Sequence, residues 1–254
     1  MLLACDIGNT NIKTGLFNDD ILTEKKLFDN LESFRAYLRA IPVRNIAVSS
    51  VVPEITKKVA ETSEKLKNFS PFIVTKDVKF NLKLSYDSPD TLGMDRLCSA
   101  EGAYSLFKAS GDYQIFDDKT FILSVDLGTA TTINILTYPD EFIGGIIAPG
   151  INMMFKSLNS STAQLPLVSE MYYENFIGRN TASSIASGVI NSCAGLIKST
   201  INYCKTGMKA EIIKIFITGG NAEKVLPYLD FEYKFVPELV LLGIKNIFDK
   251  NNRP

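Results

Sequence analysis

Apolar residues recur along this chain at two different periods, and the switches between them mark its elements. Leu2–Asp6 and Ile12–Phe17 read as strands, Asn18-Asp19-Asp20 as a turn, and Ile21–Phe28 as a third strand with Thr23 and the Lys25-Lys26 pair on an exposed face. A helix over about Leu31–Ala40 follows. The run Ile46–Val52 is β-rich and stopped by Pro53, a charged helix extends to about Asn68, and Phe72–Val74 is a short strand. The first half therefore reads βββαβαβ.

The same plan then restarts. Thr120–Asp126, Thr132–Thr137 and Phe142–Ile147 give three strands separated by Gly128-Thr129 and Tyr138-Pro139-Asp140. Ala182–Cys204 fits a long helix, because Ile185, Val189, Ala194, Ile197 and Ile201 fall close to helical spacing. Ile212–Thr218 reads as a buried strand, Gly219-Gly220 as a tight turn, Ala222–Leu229 as a helix and Leu239–Phe248 as a closing helix. The pattern predicts an α/β molecule made by structural duplication, with halves at 1–115 and 116–254. Only Gly111-Asp112 and Asp117-Asp118-Lys119 mark the boundary.

Composition narrows the chemistry. The chain has 254 residues, 46% of them apolar, enough for a substantial core, and a net charge of -1 argues against an extended nucleic-acid surface. The lysines at 57, 58, 65 and 67 read as a solvated helix face. No segment is apolar for long enough to span a bilayer, and Asp6 inside the first apolar run does not suit a signal peptide. The cytoplasm is the expected location, with no membrane or nucleic-acid partner. Cys5, Cys98, Cys193 and Cys204 stand far apart, and histidine is absent, which argues against zinc and against Ser-His-Asp or Cys-His catalysis. A general base here has to be a carboxylate, Lys or Tyr.

That turns attention to the aspartates. Asp6-Ile7-Gly8-Asn9-Thr10-Asn11 ends a strand on an acid followed by glycine and short polar residues. Backbone N–H groups in such a turn can converge on an anion, but an acid beside a phosphate needs a cation between them, and nucleotide-bound magnesium is the usual one. Taken alone, the stretch also reads as a hairpin whose Asp and Asn close turns. Its echo, Asp126-Leu127-Gly128-Thr129, changes the balance, since two such hairpins, each opening a βββ unit, could hold one polyphosphate between them. Neither a Walker A loop nor a GxGxxG fingerprint occurs. A third constellation runs from Tyr86 through Leu92-Gly93-Met94-Asp95-Arg96. A helix beginning near Met94 puts Asp95 in its first turn, where it can cap N–H groups or stay ionised as a base. Thr218-Gly219-Gly220, at a strand-to-helix junction, is a candidate for packing against a nucleotide.

Together these motifs resemble the type III pantothenate kinases, of the acetate and sugar kinase, heat-shock ATPase and actin superfamily. The resemblance runs end to end: DIGNTN at Asp6–Asn11, SSVVP at Ser49–Pro53, LGMDR at Leu92–Arg96, VDLGTATT at Val125–Thr132, GGIIAPGI at Gly144–Ile151, LP at Leu165-Pro166, IGRNT at Ile177–Thr181 and TGG at Thr218–Gly220. It implies a duplicated ribonuclease H-like (actin-like ATPase) fold with two βββαβαβ-type halves around a nucleotide cleft. The implied activity is transfer of the ATP γ-phosphate to the primary hydroxyl of pantothenate. By the same resemblance, Asp6, Ile7, Gly8, Asn9, Thr10, Asn11, Ile12 and Lys13 bind the ATP phosphates, with Asp6 near Mg2+, and Thr129 touches ATP. Asp95 is implied as general base, and Tyr86, Gly93, Met94, Asp95, Arg96 and Thr181 as pantothenate-binding, Thr181 across a homodimer interface. Asp126 is implied to hold a monovalent cation, K+ or NH4+. Met94 stands where Ala is common and Leu127 where Phe is common. The family also includes members described as transcriptional accessory factors, so a non-catalytic regulatory homologue is the alternative. Asp6, Asp95 and Asp126 together argue against it.

Overall fold

A computed structural model describes residues 1–111 and 117–252. It divides into two compact units, one of Met1–Gly111 with Glu238–Pro254 and one of Asp112–Pro237. The expected boundary at 115/116 lies outside the described residues.

The first unit is built on strands β1 (Leu2–Ile7), β2 (Ile12–Asn18), β3 (Ile21–Phe28), β4 (Asn45–Ser50) and β5 (Phe72–Ile73), in the order β3-β2-β1-β4-β5. The meander pairs antiparallel, and β1–β4 and β4–β5 pair parallel. Strand β1 is buried on both faces, as a central strand with parallel pairing should be. Its alternation sends Leu3, Cys5 and Ile7 into one core with Phe34, Leu38, Val48 and Val59. Leu2 and Ala4 face the other way, against Ala47, Cys98, Val240, Leu241 and Ile244. Helix α1 (Leu31–Ala40) starts where Asn30 Oδ1 accepts the Ser33 N–H at 2.9 Å. Helix α2 (Pro53–Lys67) opens on a proline, whose missing N–H costs nothing in a first turn, and closes at left-handed Asn68. A short strand β6 (Lys83–Leu84) and a turn of 3-10 helix, Pro89–Thr91, lead into α3 (Met94–Ala109). Every residue of α3 from Arg96 to Tyr104 is buried. The closing helix, Leu239–Asn252, packs along α3 within this unit.

The second unit repeats the plan. Strands β7 (Thr120–Leu127), β8 (Ala130–Thr137), β9 (Glu141–Pro149), β10 (Ile212–Thr218) and β11 (Lys234–Phe235) lie in the order β9-β8-β7-β10-β11. Read by position, these five strands run 3-2-1-4-5 as the first sheet does, with the same signs of pairing: antiparallel in the meander and parallel beyond it. Helices α4 (Ile151–Ser160) and α5 (Thr181–Thr206) cover this sheet, and α5 contributes Ile185, Val189, Ile190, Cys193, Ile197 and Ile201 to its core.

Two expectations differ from what is found. Ala222–Leu229, read as one helix, is two turns of 3-10 helix, Ala222–Lys224 and Leu226–Tyr228, joined at Val225. Pro227 cannot donate the bond that would carry an α-helix through. The closing helix, counted with the second half, belongs to the first compact unit.

Candidate active site

Asp6 stands next to the end of β1, where the chain turns back into β2. The turn is closed by the Gly8 N–H donating to Asn11 O at 3.1 Å, leaving Asn9 and Thr10 exposed. Ile7 and Ile12 form the last cross-strand pair and are buried, so they wall the turn and offer only backbone to a ligand. Asp6 is paired in register with Lys13 on one side and Ser49 on the other. An acid and a base directly opposite each other share one face of the sheet. Asn11 donates its Nδ2 to Asp29 Oδ1 at 2.6 Å, which ties the turn to the chain just after β3.

Asp95 occupies the first turn of α3, after Gly93 in the N-cap position with an extended backbone (φ -62°, ψ 132°). The carboxylate meets a helix N–H: Asp95 Oδ1 accepts from Arg96 N at 2.8 Å. Gly93 is required by closeness rather than by dihedral angle, since a Cβ there would lie 2.5 Å from Asp95 Oδ1. Arg96 is buried, with its guanidinium carbon 5.9 Å from the centre of the Tyr86 ring. One turn on, the buried Cys98 thiol has its pKa raised, first by burial and further by the negative charges of Asp6, Glu101 and Asp95, while a hydrogen bond with Ser49 opposes the shift. This thiol stays protonated and is no nucleophile.

The second hairpin is tighter. Gly128 N–H donates to Ala130 O at 3.1 Å, and Asp126 is paired in register with Thr132 where Asp6 has a lysine. Three groups beyond the motif hold the turn. Gly219, at φ 104°, presses on it so closely that a Cβ would lie 2.4 Å from the Leu127 carbonyl carbon. Asn221 grips it twice, N–H to Leu127 O at 2.9 Å and Nδ2 to Gly128 O at 3.0 Å, and a Cβ on Gly150 would meet Thr129 O at 2.2 Å. Thr218-Gly219-Gly220, a candidate for packing on a nucleotide, thus packs through Gly219 on the hairpin. Asn221 escaped the sequence reading because an Asn after two glycines looks like any turn residue.

Asp126 is half-buried, its Oδ1 wholly so, and a Cβ on Gly128 would come within 3.2 Å of that oxygen. A side chain at residue 128 would crowd that oxygen. Among the described residues no group of three or more His, Cys, Asp or Glu could hold a metal ion. A cation at either hairpin would therefore share one carboxylate with backbone or phosphate oxygens, a donor set suited to Mg2+ on a nucleotide or to K+.

Thr181 opens α5 and is exposed. Asn180 and Ser183 form a reciprocal capping box before it, with Ser183 N–H donating to Asn180 Oδ1 at 2.9 Å and Asn180 N–H to Ser183 Oγ at 3.2 Å. The segment leading in exposes Met171 (87%), Phe176 (73%) and Ile177 (77%).

Comparison with known proteins identifies the family. The family model for type III pantothenate kinase matches residues 2–203. A type III pantothenate kinase from Sulfurihydrogenibium sp. is 31% identical over 258 residues, covering 96% of this chain and 98% of that protein. One from Syntrophobacter fumaroxidans is 29% identical over 272 residues, covering 100% and 99%. Among solved structures, the ethanolamine utilization protein EutJ from Carboxydothermus hydrogenoformans superposes with a TM-score of 0.50 at 13% identity, covering 95% of this chain and 88% of that one, a likeness of fold. The duplicated ribonuclease H-like (actin-like ATPase) fold expected from the sequence is the one found, with the same strand order in both units. A family match over most of the chain, on a fold whose paired hairpins and Asp95 helix start carry the motifs, leads to one assignment: the chain belongs to the type III pantothenate kinase family.

Proposed function

We propose that this protein transfers the γ-phosphate of ATP to the primary hydroxyl of pantothenate, giving ADP and 4'-phosphopantothenate, the first step of coenzyme A biosynthesis. The observation that carries the reading is the family match over residues 2–203, borne on a fold that sets Asp6 beside a glycine turn and Asp95 at a helix start. One suits the phosphate end of the reaction and the other the alcohol. The hydroxyl oxygen attacks the γ-phosphorus, the bond to the β–γ bridging oxygen breaks, and the alcohol proton passes to Asp95. Such a loose transition state gains mainly from in-line positioning and charge neutralisation.

In this reading the backbone of Gly8 to Lys13 cradles the phosphates, Asp6 organises them through Mg2+, and Thr129 touches ATP. Asp126 holds K+ or NH4+; bound there, the ion supplies a positive charge that magnesium alone does not. Tyr86, Gly93, Met94 and Arg96 bind pantothenate, whose carboxylate is a natural counter-ion for a buried guanidinium. Thr181 of the partner subunit completes the pocket in a homodimer, a role supported by its exposure and by the apolar Met171, Phe176 and Ile177 before it. A cytosolic location accords with four buried free thiols.

The test is an assay of purified protein with ATP, magnesium, potassium and pantothenate, reading ADP and the phosphorylated product. No product under these conditions refutes the function. Asp95→Asn should lower kcat by roughly 10²–10⁴ while ATP still binds, the range expected for loss of a general base. Equal rates in sodium and potassium would count against the role of Asp126, and a fully active monomer against that of Thr181.

A further inference from the structure

Glu101 is a carboxylate with no place in the mechanism above, yet it is fully buried in the middle of α3. An ionisable group is not kept in such a position without compensating partners. Glu101 Oε1 accepts the N–H of Asn81 at 2.6 Å and of Leu82 at 3.0 Å, and Oε2 accepts Asn81 Nδ2 at 2.9 Å. Both backbone donors sit at the root of the segment that runs through Tyr86 to Gly93. Four residues after Leu82, Tyr86 meets the guanidinium of Arg96 on the same helix. Farther along, Ser88 and Thr91 close the 3-10 turn through their hydroxyls, and Asp90 pairs with Lys76.

The segment is thus fastened to α3 at two points. Asp95 precedes the first, Arg96, by one residue and the second, Glu101, by six, about 9 Å along a helix. Burial raises the pKa of Glu101, while the Asn81 side chain, the two backbone donors and the charge of Lys250 on the closing helix pull the other way. What the segment needs from residue 101 is an acceptor for two N–H groups, and a neutral amide can supply one.

We infer that Glu101 is a positioning residue for the acceptor alcohol, fixing the segment that carries Tyr86 in register with Asp95 on α3. This rests on the pantothenate kinase reading proposed above. Glu101 touches neither substrate, so its loss acts through Tyr86: pantothenate binding suffers and ATP binding does not.

The experiment compares wild type with Glu101→Met, Glu101→Gln and Asn81→Ala, measuring KM for each substrate, kcat, and hydrogen exchange of residues 81–92. Glu101→Met should raise KM for pantothenate about tenfold, leave KM for ATP within about twofold, and speed exchange in 81–92, as expected when two buried N–H groups lose their acceptor. Glu101→Gln keeps an oxygen for both N–H groups, and rotation of the Asn81 amide accommodates its NH2, so it should return both readouts to near wild type. Asn81→Ala removes one side-chain donor without burying anything new. It should raise the pantothenate KM about threefold, and it carries the test if the Met variant fails to fold. Folded variants with an unchanged pantothenate KM, or with both KM values raised alike, would overturn the inference. Failure of the wild type to phosphorylate pantothenate would overturn the function itself, and this inference with it.

Discussion

A methyl group on Gly93 would have to displace the carboxylate of Asp95, because the atom it meets at 2.5 Å is the side-chain oxygen Oδ1, held among the described residues only by the Arg96 N–H. The fold can yield cheaply at that point; the proposed chemistry cannot. Gly93→Ala should change stability by no more than about 1 kcal/mol, the worth of the Arg96 N–H bond it disturbs. Turnover should fall roughly 10²-fold, the scale set by misplacing a reacting group by about an ångström. Thermal unfolding and kcat on one preparation check it, and a variant losing both together would mean the glycine serves only the helix start. Asp95 was legible in the sequence because Gly-x-Asp-Arg before an apolar helical run states both a helix start and an acid within it. Glu101 and Asn221 were not. Their meaning lies in which backbone groups they meet, at Asn81 and Leu82 in one case and at Leu127 and Gly128 in the other. The hold of Asp29 on the Asn11 amide is equally invisible in the sequence, since eighteen residues separate the two.

Among the elements, α3 and the closing helix are the pair on which the Asp95 helix start depends. They approach until backbones touch: a Cβ on Gly243 would lie 1.7 Å from Cys98 O, and one on Gly102 2.1 Å from Leu239 O. No side chain can rotate away from either clash. Gly243→Ala should therefore cost about 3 kcal/mol, the upper part of the range for overpacking, by forcing the helices apart. Chemical denaturation would reveal it, and a midpoint within error of wild type would mean the helices slide freely. The strands and most helices of both units were legible, since a period of two or of 3.6 is set by burial on one side or both. What periodicity could not give was the break at Val225 between two short 3-10 turns, where one proline decides the geometry. Nor could it give the helix contact at Gly102 and Gly243, for glycines in a helical pattern usually weaken it and only a close neighbour explains them.

At the scale of the molecule, duplication was readable in outline, because the Asp-x-Gly echo and the restarted βββ pattern imply two copies of one sheet, and the five strands of each unit's own plan do run 3-2-1-4-5. The chain's return was not readable, since a closing helix can cover either sheet and its sequence does not say which. Its apolar residues say so only through their neighbours: Val240, Leu241, Ile244 and Ile247 pack with Leu2, Ala4, Phe17, Ala47 and Cys98. Each fully buried aliphatic side chain contributes roughly 1.5–3 kcal/mol, so these four together are comparable with the whole net stability of a domain, about 5–15 kcal/mol. A chain ending at residue 237 should then lose the first unit's core. Hydrogen exchange should show β1, β2 and β4 unprotected, and the Asp95 helix start should lose its rigidity with them. The β7, β8 and β10 amides, in a unit with its own core around Leu123, Ile133, Ile190 and Ile217, should keep substantial protection. Full protection of β1 and β4 in the shortened chain would show that the closing helix is an accessory to that sheet. Protection lost there and kept in the second unit would show that the last seventeen residues complete the first.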